Sequence, residues 1–319
     1  MKELIDTLNP EMKFQKPQFL KAYFAPIPFC PDEVLHGQFE REGIVAFPLL
    51  DFSETNDLLG FYHDLPQVAF DGFHTSLFRE NYTDRKKIDH KLKAVLGSKL
   101  EKLFPGFIPL YGSFMVKEPG VRSSMKIHQD WSYVNEEKSL SFAIWVPLND
   151  VNEKNGPVRF MKSSHRYSLS VRGPGILCPF EKESEWIEEN ALASFHLKAG
   201  EAIAWHHRVL HSSAPNYAHA PRIAVTLIMV PRGEKVIHFF HDPSKPESEI
   251  EMFEVDSEFF LTYSIGKRPE GQKLLETFSF SLSSLVLEDI KKILKNNSNI
   301  QGKIGILKSI NQFFRKSVK

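Results

Sequence analysis

The sequence predicts a mainly β core between flanking helices, and two observations predict it. Across residues 110–232, short apolar or alternating segments recur at 111–116, 139–146, 158–161, 202–206 and 223–230. Turn chemistry separates them, at Pro119-Gly120, Asn155-Gly156-Pro157, Pro174-Gly175, Ala199-Gly200 and Ala214-Pro215-Asn216. Many short strands broken by Gly, Pro and Asn turns suit a sandwich or barrel better than alternating βαβ units. Outside this stretch the apolar residues recur at three-and-four spacing, the period of an amphipathic helix.

Residues 32–42 read as a short helix entered through Pro31 and ended by Gly43, with Leu35 and Phe39 on one face. Gly43-Ile44-Val45-Ala46-Phe47 reads as a strand. Residues 84–104 place Ile88, Leu92, Val95, Leu96, Leu100 and Leu103 at helical spacing before Pro105-Gly106 ends the run. After Pro243 the chain turns polar, then helical again: Val286, Ile290, Ile293 and Leu294 share a face, as do Ile306, Ile310, Phe313 and Phe314. The expected organisation is one domain over 1–245, a helical layer followed by the β core. A mostly helical extension, 246–319, packs on or next to it.

Composition excludes several classes. The chain has 319 residues, 42% of them hydrophobic and 27 of them Phe, which is too rich in core-forming residues for intrinsic disorder. The longest near-apolar run, 223–230, is far short of the roughly 20 residues that span a bilayer. Forty Lys and Arg balance forty Asp and Glu, and this argues against a nucleic-acid binder, which needs a basic face. Cys30 and Cys178 cannot build a disulfide framework, and the N-terminus has acids where a secretory signal needs an apolar stretch. A cytoplasmic protein with free thiols is the expectation. One asymmetry hides in the balance: residues 291–319 hold eight Lys or Arg and no acid, downstream of an acidic run from Glu247 to Glu258. That basic tail can dock on the acidic run, lie on an anionic membrane or receive an acidic carrier protein.

Thirteen histidines invite a search for metal ligands, and three constellations emerge. In His128-Gln129-Asp130, the i and i+2 side chains of an extended segment converge on one side. An imidazole and a carboxylate are two thirds of a facial iron site, which needs a distant second histidine. The second constellation is His206-His207-Arg208-Val209-Leu210-His211. A zinc-protease helix would need Glu where Arg208 stands, and the preceding strand-like residues argue against a helix. One of these histidines as a lone distal ligand fits better, with the others at the surface or behind the ligands. The third is Arg222, at the mouth of the most apolar strand, where a buried guanidinium needs a carboxylate partner.

Together these segments resemble the phytanoyl-CoA dioxygenase family of iron(II)- and 2-oxoglutarate-dependent oxygenases, over roughly residues 114–231. His128-Gln129-Asp130-Trp131 is similar to its first metal motif, and residues 139–151 to the strand that follows. Asn155-Gly156-Pro157-Val158 and Ser163-Ser164-His165-Arg166 resemble its Asn-Gly-Pro turn and Gly-Ser-His element, with Ser163 where glycine is usual. Residues 210–216 resemble the second metal motif, and Arg222 stands eleven residues after His211.

The resemblance implies a double-stranded β-helix, the cupin-like jelly roll, with His128, Asp130 and His211 as iron ligands. It implies that Arg222 and Ser213 hold the distal carboxylate of 2-oxoglutarate and that Gln129 and Trp145 line the cosubstrate pocket. The implied catalytic set is His128, Asp130, His211 and Arg222, working with Fe(II), 2-oxoglutarate and O2 to hydroxylate a small acyl, amino-acid-like or natural-product substrate. Because Asp130 is present, halogenation, which needs that position free, is not implied. Trp131, Tyr133, Phe180 and the loop 167–195 are candidates for shaping the substrate mouth of a monomer or weak homodimer. The competing readings are a non-catalytic metal- or ligand-binding β-barrel and a zinc hydrolase on His206, His207 and His211.

Overall fold

The computed structural model describes residues 28–278, apart from 137, 167–170, 177, 179, 243 and 246–248, together with 287, 288, 290, 291 and 294. The helix face built on Ile306, Ile310, Phe313 and Phe314, and almost all of the basic tail, lie outside the described residues. Among the described residues no helix is long and apolar enough to cross a membrane.

Helix α1 (Glu33–Glu42) starts where the Asp32 carboxylate accepts from the N–H groups of Val34 and Leu35, and stops at Gly43, whose φ of 73° permits the left-handed turn. Strand β1 (Ile44–Pro48) follows. Helix α2 (Phe52–Asp64), which the spacing did not predict, is held by a reciprocal capping box between Asp51 and Glu54. After the short β2 (Phe73–Thr75), Asn81 caps α3 (Tyr82–Leu103), two residues earlier than the spacing predicts. Its Ile88, Leu92, Leu96 and Leu100 are fully buried, one per turn, against the sheet.

The β core alternates between two sheets. Strands β3 (Phe107–Lys117), β5 (Phe142–Pro147), β8 (Glu201–His206) and β10 (Arg222–Pro231) join β1 and β2 in a six-stranded sheet of order β1-β8-β5-β10-β3-β2. Strands β4 (Met125–His128), β6 (Val158–Phe160), β7 (Ala193–Phe195) and β9 (His211–Ser213) form a four-stranded sheet of order β4-β9-β6-β7. Every pairing in both sheets is antiparallel. A chain that passes β3, β4, β5, β6, then β7, β8, β9, β10 between the sheets in this order traces the double-stranded β-helix, or jelly roll.

Strand alternation divides the core in two. Phe142, Ile144, Val146, Val225 and Leu227 turn outward to meet α3, while Tyr111, Ala143, Trp145, Ile203, Trp205 and Ile228 turn inward and fill the barrel. The helices thus stiffen the large sheet from behind and leave its inner face free for a site.

Within 246–319, the described residues 249–278 hold more strand than helix where a mostly helical segment is the expectation. Strands β12 (Ile250–Glu254) and β13 (Lys273–Phe278) pair with β11 (Ile237–Phe240) in a third sheet, which straddles the expected boundary. Helix α4 (Ser184–Asn190) precedes β7; within 249–278 only α5 (Ser257–Thr262) is helical, and its Phe259, Phe260 and Leu261 are buried in the barrel core. Ile250, Met252 and Phe253 stand among Glu249, Glu251 and Glu254, and the register shift between Met252 and Phe253 breaks the two-residue alternation that would mark a strand. Further on, Ile290 is buried with Ile127, Phe180 and Leu210.

Candidate metal centre and anion pocket

Register, not sequence spacing, assembles the site. Strands β4 and β9 pair so that His128 stands directly opposite His211, and directly opposed side chains share a face about 5 Å apart. Their ring centroids are 4.2 Å apart. Asp130 lies two residues past the end of β4. Its Oδ1 is 3.9 Å from His128 Nε2 and 3.7 Å from His211 Nε2. The candidate ligand atoms of all three lie within 4.8 Å of one another, the one such group of three among the described residues.

The surroundings prepare each ligand. His128 Nδ1 lies 2.8 Å from the Lys126 carbonyl and His211 Nδ1 lies 2.9 Å from the Val209 carbonyl. A carbonyl can only accept, so Nδ1 carries the proton and Nε2 keeps its lone pair for a metal. Burial, and next the His128 ring, push His211 down to about 4, so its imidazole is neutral near pH 7. Burial alone would raise Asp130, but His211, His207, His128 and the Trp205 N–H together hold its carboxyl below the usual range. Trp205 Nε1 donates to Asp130 Oδ2 at 2.7 Å, leaving Oδ1 toward the histidines. The Asp130 backbone is clamped as well: its N–H donates to the His207 carbonyl at 3.0 Å and its carbonyl accepts from Arg172 Nε at 2.6 Å. Two imidazoles that present Nε2 and one fixed carboxylate on one side of an open cavity suit a divalent iron with free coordination positions.

Arg222 opens β10 and is fully buried. The expected carboxylate partner is absent: no acid of the described residues pairs with it, one NH group donates to the Gly156 carbonyl and Nε has no partner. Its guanidinium lies 5.0 Å from the centre of the Trp145 ring, and burial pushes it down to about 9. Directly across the β3–β10 pairing stands Lys117, also buried, whose Nζ donates to the carbonyls of Ser123 and Ala214, the latter at 2.8 Å. Burial first, then the Arg222 and Arg159 charges, push Lys117 down to about 6. Arg222 is thus a buried cation with no acid beside it, and its neighbour Lys117 is an amine held largely uncharged near pH 7; the pair suits an arriving anion. Gly156 makes the close approach possible: a Cβ there would lie 2.6 Å from the Ala214 carbonyl oxygen and 2.8 Å from the Lys117 side chain.

The model of the family described as phytanoyl-CoA dioxygenase matches residues 61–224, just over half of the chain. The chain belongs to the phytanoyl-CoA dioxygenase family. It is similar to the phytanoyl-CoA dioxygenase of Arabidopsis thaliana, 28% identical over 126 residues, which are 39% of this chain and 44% of that protein. It is also similar to phytanoyl-CoA dioxygenase domain-containing protein 1 of Danio rerio, 26% identical over 149 residues, 44% of this chain and 50% of that one. The chain spans about half the length of the curated relatives it matches. Among solved structures, HygX from Streptomyces hygroscopicus with nickel, 2-oxoglutarate and hygromycin B bound aligns with a TM-score of 0.49 at 11% identity, over 63% of this chain and 88% of that one. EctD from S. alaskensis with 2-oxoglutarate and 5-hydroxyectoine bound aligns with a TM-score of 0.46 at 15% identity, over 70% and 85%.

The remaining candidates of this family member fall into place unevenly. Gln129 lines the cavity and its amide donates to the Arg208 carbonyl at 2.5 Å. Ser213 is buried at the end of β9, opposite Met125. Trp131 and Tyr133 line the cavity, but Phe180 is buried in a separate cluster with Ile127 and Met161 and shapes no mouth. His206 and His207 are not at the surface. Both are buried, and His207 shares a hydrogen bond of 2.8 Å with Ser141, so neither joins His211 in a zinc triad. Sequence reasoning missed Lys117, Trp205 and Arg172. Only the rarity of a lysine ending an apolar strand offered a signal for the first.

Proposed function

We propose that the protein is an Fe(II)- and 2-oxoglutarate-dependent dioxygenase that hydroxylates an unactivated carbon of a small molecule, releasing succinate and CO2. The observation that supports this best is the conjunction of the His128–Asp130–His211 group with an unpaired buried cation on the neighbouring strand ends. In this reading His128, Asp130 and His211 hold the iron through Nε2, Oδ1 and Nε2. Bound iron would supply dioxygen activation coupled to decarboxylation of the keto acid. Arg222 receives the distal carboxylate of 2-oxoglutarate in a bidentate fork, stacked on Trp145, with Lys117 beside it. Ser213 offers its hydroxyl to the same carboxylate. Trp205 holds the Asp130 carboxylate in one orientation, and Gln129 closes the cavity beside the metal. The unpaired thiols Cys30 and Cys178 fit a reducing, cytoplasmic setting.

The test is uncoupled turnover. Iron-loaded protein with 2-oxoglutarate and O2 should form succinate without added substrate, and His211→Ala should lose iron and succinate together. Succinate formation by neither protein, with iron bound to the wild type, would leave a binding barrel instead of an enzyme.

A further inference from the structure

The cavity in front of the candidate metal group has a volume of about 230 Å³. Among the described residues its wall contains no Lys or Arg, and its titratable groups are His128, Asp130, Tyr111, Tyr133 and Tyr263. Most of the remainder is aromatic or aliphatic, and Phe78 and Ile265, 46% and 49% exposed, stand on its rim. One wall comes from outside the stretch that the family model matches: Phe260, Tyr263 and Ile265, on and after α5, face the barrel interior. Asp130 is the one acid of this wall and belongs to the metal group, so with a metal bound a charged ligand would find no counter-ion on this side.

Of the other polar side chains in the lining, Gln129 and Thr226 donate to backbone carbonyls and Thr75 to Ser113, while a tyrosine pair stands far from the cation end. Tyr111 and Tyr133 are 5% and 4% exposed, and their hydroxyls lie 2.7 Å apart. Tyr111 shares the inward face of β3 with Lys117 but stands six residues away, roughly 20 Å along a strand at about 3.3 Å per residue. A carboxylate held at Arg222 and Lys117 does not reach it. The proton count is informative. Two hydroxyls carry two protons and share one hydrogen bond, so one O–H remains without an acceptor. No described residue supplies one, so the spare O–H of the pair is left for a ligand in the cavity that both tyrosines line. The same pair also has lone pairs to spare.

We propose that this hydroxyl pair is the polar anchor of the substrate subsite, and that the substrate is a neutral, largely apolar molecule carrying a carbonyl, hydroxyl or ether oxygen. This rests on the dioxygenase reading for its reaction but not for its binding. The apolar body packs against Phe260 and Ile265, the oxygen accepts from the Tyr pair, and Asp130 and His128 flank the segment between. Tyr111 and Tyr133 are thus specificity-determining residues, and α5 and the residues after it supply a wall particular to this chain.

The test uses three ring compounds of similar size: acetylcyclohexane, ethylcyclohexane and cyclohexylmethylammonium. Their binding is measured by calorimetry on the full chain, both metal-free and loaded anaerobically with Fe(II) and 2-oxoglutarate. The ketone should bind about three- to tenfold tighter than the hydrocarbon, the worth of one hydrogen bond, and in the Fe(II)-loaded protein, where Asp130 is engaged, the cation should bind weakest. In Tyr111→Phe/Tyr133→Phe, which removes both hydroxyls and leaves no orphan, the ketone preference should vanish while the hydrocarbon binds as before. Retained hydrocarbon binding shows the cavity to be intact. Equal binding of ketone and hydrocarbon by the wild type, or a preference that survives the double variant, overturns the proposal. Because the metal-free measurement involves no turnover, a failure to form succinate would count against the dioxygenase reading alone.

Discussion

Replacing Arg222 by methionine should stabilise the protein while destroying its affinity for 2-oxoglutarate, because the two properties draw on the charge with opposite sign. Burial lowers the guanidinium from its ordinary value to about 9, which corresponds to roughly 5 kcal/mol of differential cost for the charged form. A cation with a lowered folded value carries that cost in full below about pH 9 and sheds it only as the pH rises above that, toward the guanidinium's ordinary value. The Trp145 ring at 5.0 Å offsets about 0.5–2 kcal/mol, and the Gly156 carbonyl offsets about 1.5–3 kcal/mol. The residue of these terms is small and unfavourable, so methionine of similar shape should leave the unfolding free energy unchanged or raise it by about 1–2 kcal/mol. The ligand sees the reverse. A carboxylate whose buried partner is removed loses roughly 3–5 kcal/mol, or about two to three and a half decades of affinity. Denaturant unfolding with and without 2-oxoglutarate reads both terms. In the wild type, cosubstrate at a hundred times its Kd should add about 2.7 kcal/mol of stability, an increment absent from Arg222→Met at the same concentration. A variant several kcal/mol less stable than the wild type, yet still stabilised by 2-oxoglutarate, would refute both the unpaired-cation argument and the assignment of the carboxylate.

Three further outcomes are expected. Lys117 falls from 10.5 to about 6; between those values the unfolded chain holds a proton the folded chain has shed, so stability without cosubstrate should rise with pH from 6 upward. An arriving dicarboxylate should recharge the amine, and calorimetry in two buffers near pH 7.5 should register proton uptake that Lys117→Met lacks. Trp205→Phe removes the 2.7 Å hydrogen bond that orients Asp130 and should weaken iron binding roughly 10–100-fold with the fold intact by circular dichroism; unchanged iron affinity would show that the carboxylate is positioned by its backbone clamps alone. Ser163 sits at a φ of 65°, at a cost of about 1–2 kcal/mol, but its hydroxyl donates to the Arg41 carbonyl at 2.8 Å, worth about 1 kcal/mol. Ser163→Gly should therefore shift the unfolding free energy by no more than about 1 kcal/mol in either direction, and a larger loss would mean that the hydroxyl carries more than one such bond.

The sequence by itself determined the β core, the helices that cap it and the residue types at the metal centre. Periodicity suffices for α3, whose buried residues fall one per turn, and for β5, β8 and β10, where burial on both faces leaves nearly continuous apolar runs. The resemblance to the family's motifs named His128, Asp130, His211 and Arg222, whereas the residues alone left open which of His206, His207 and His211 is the distal ligand. Only the tertiary structure decided the rest. That His211 rather than His206 or His207 faces His128 follows from the β4–β9 register, a pairing between segments some 80 residues apart that no local pattern encodes. The same is true of Lys117, which meets Arg222 across a strand pair. It is true of Phe260, which an apparently peripheral segment returns to the barrel. Backbone conformation is a local preference and is read locally; a site made where distant strands cross depends on register, which is set by the packing of the whole barrel.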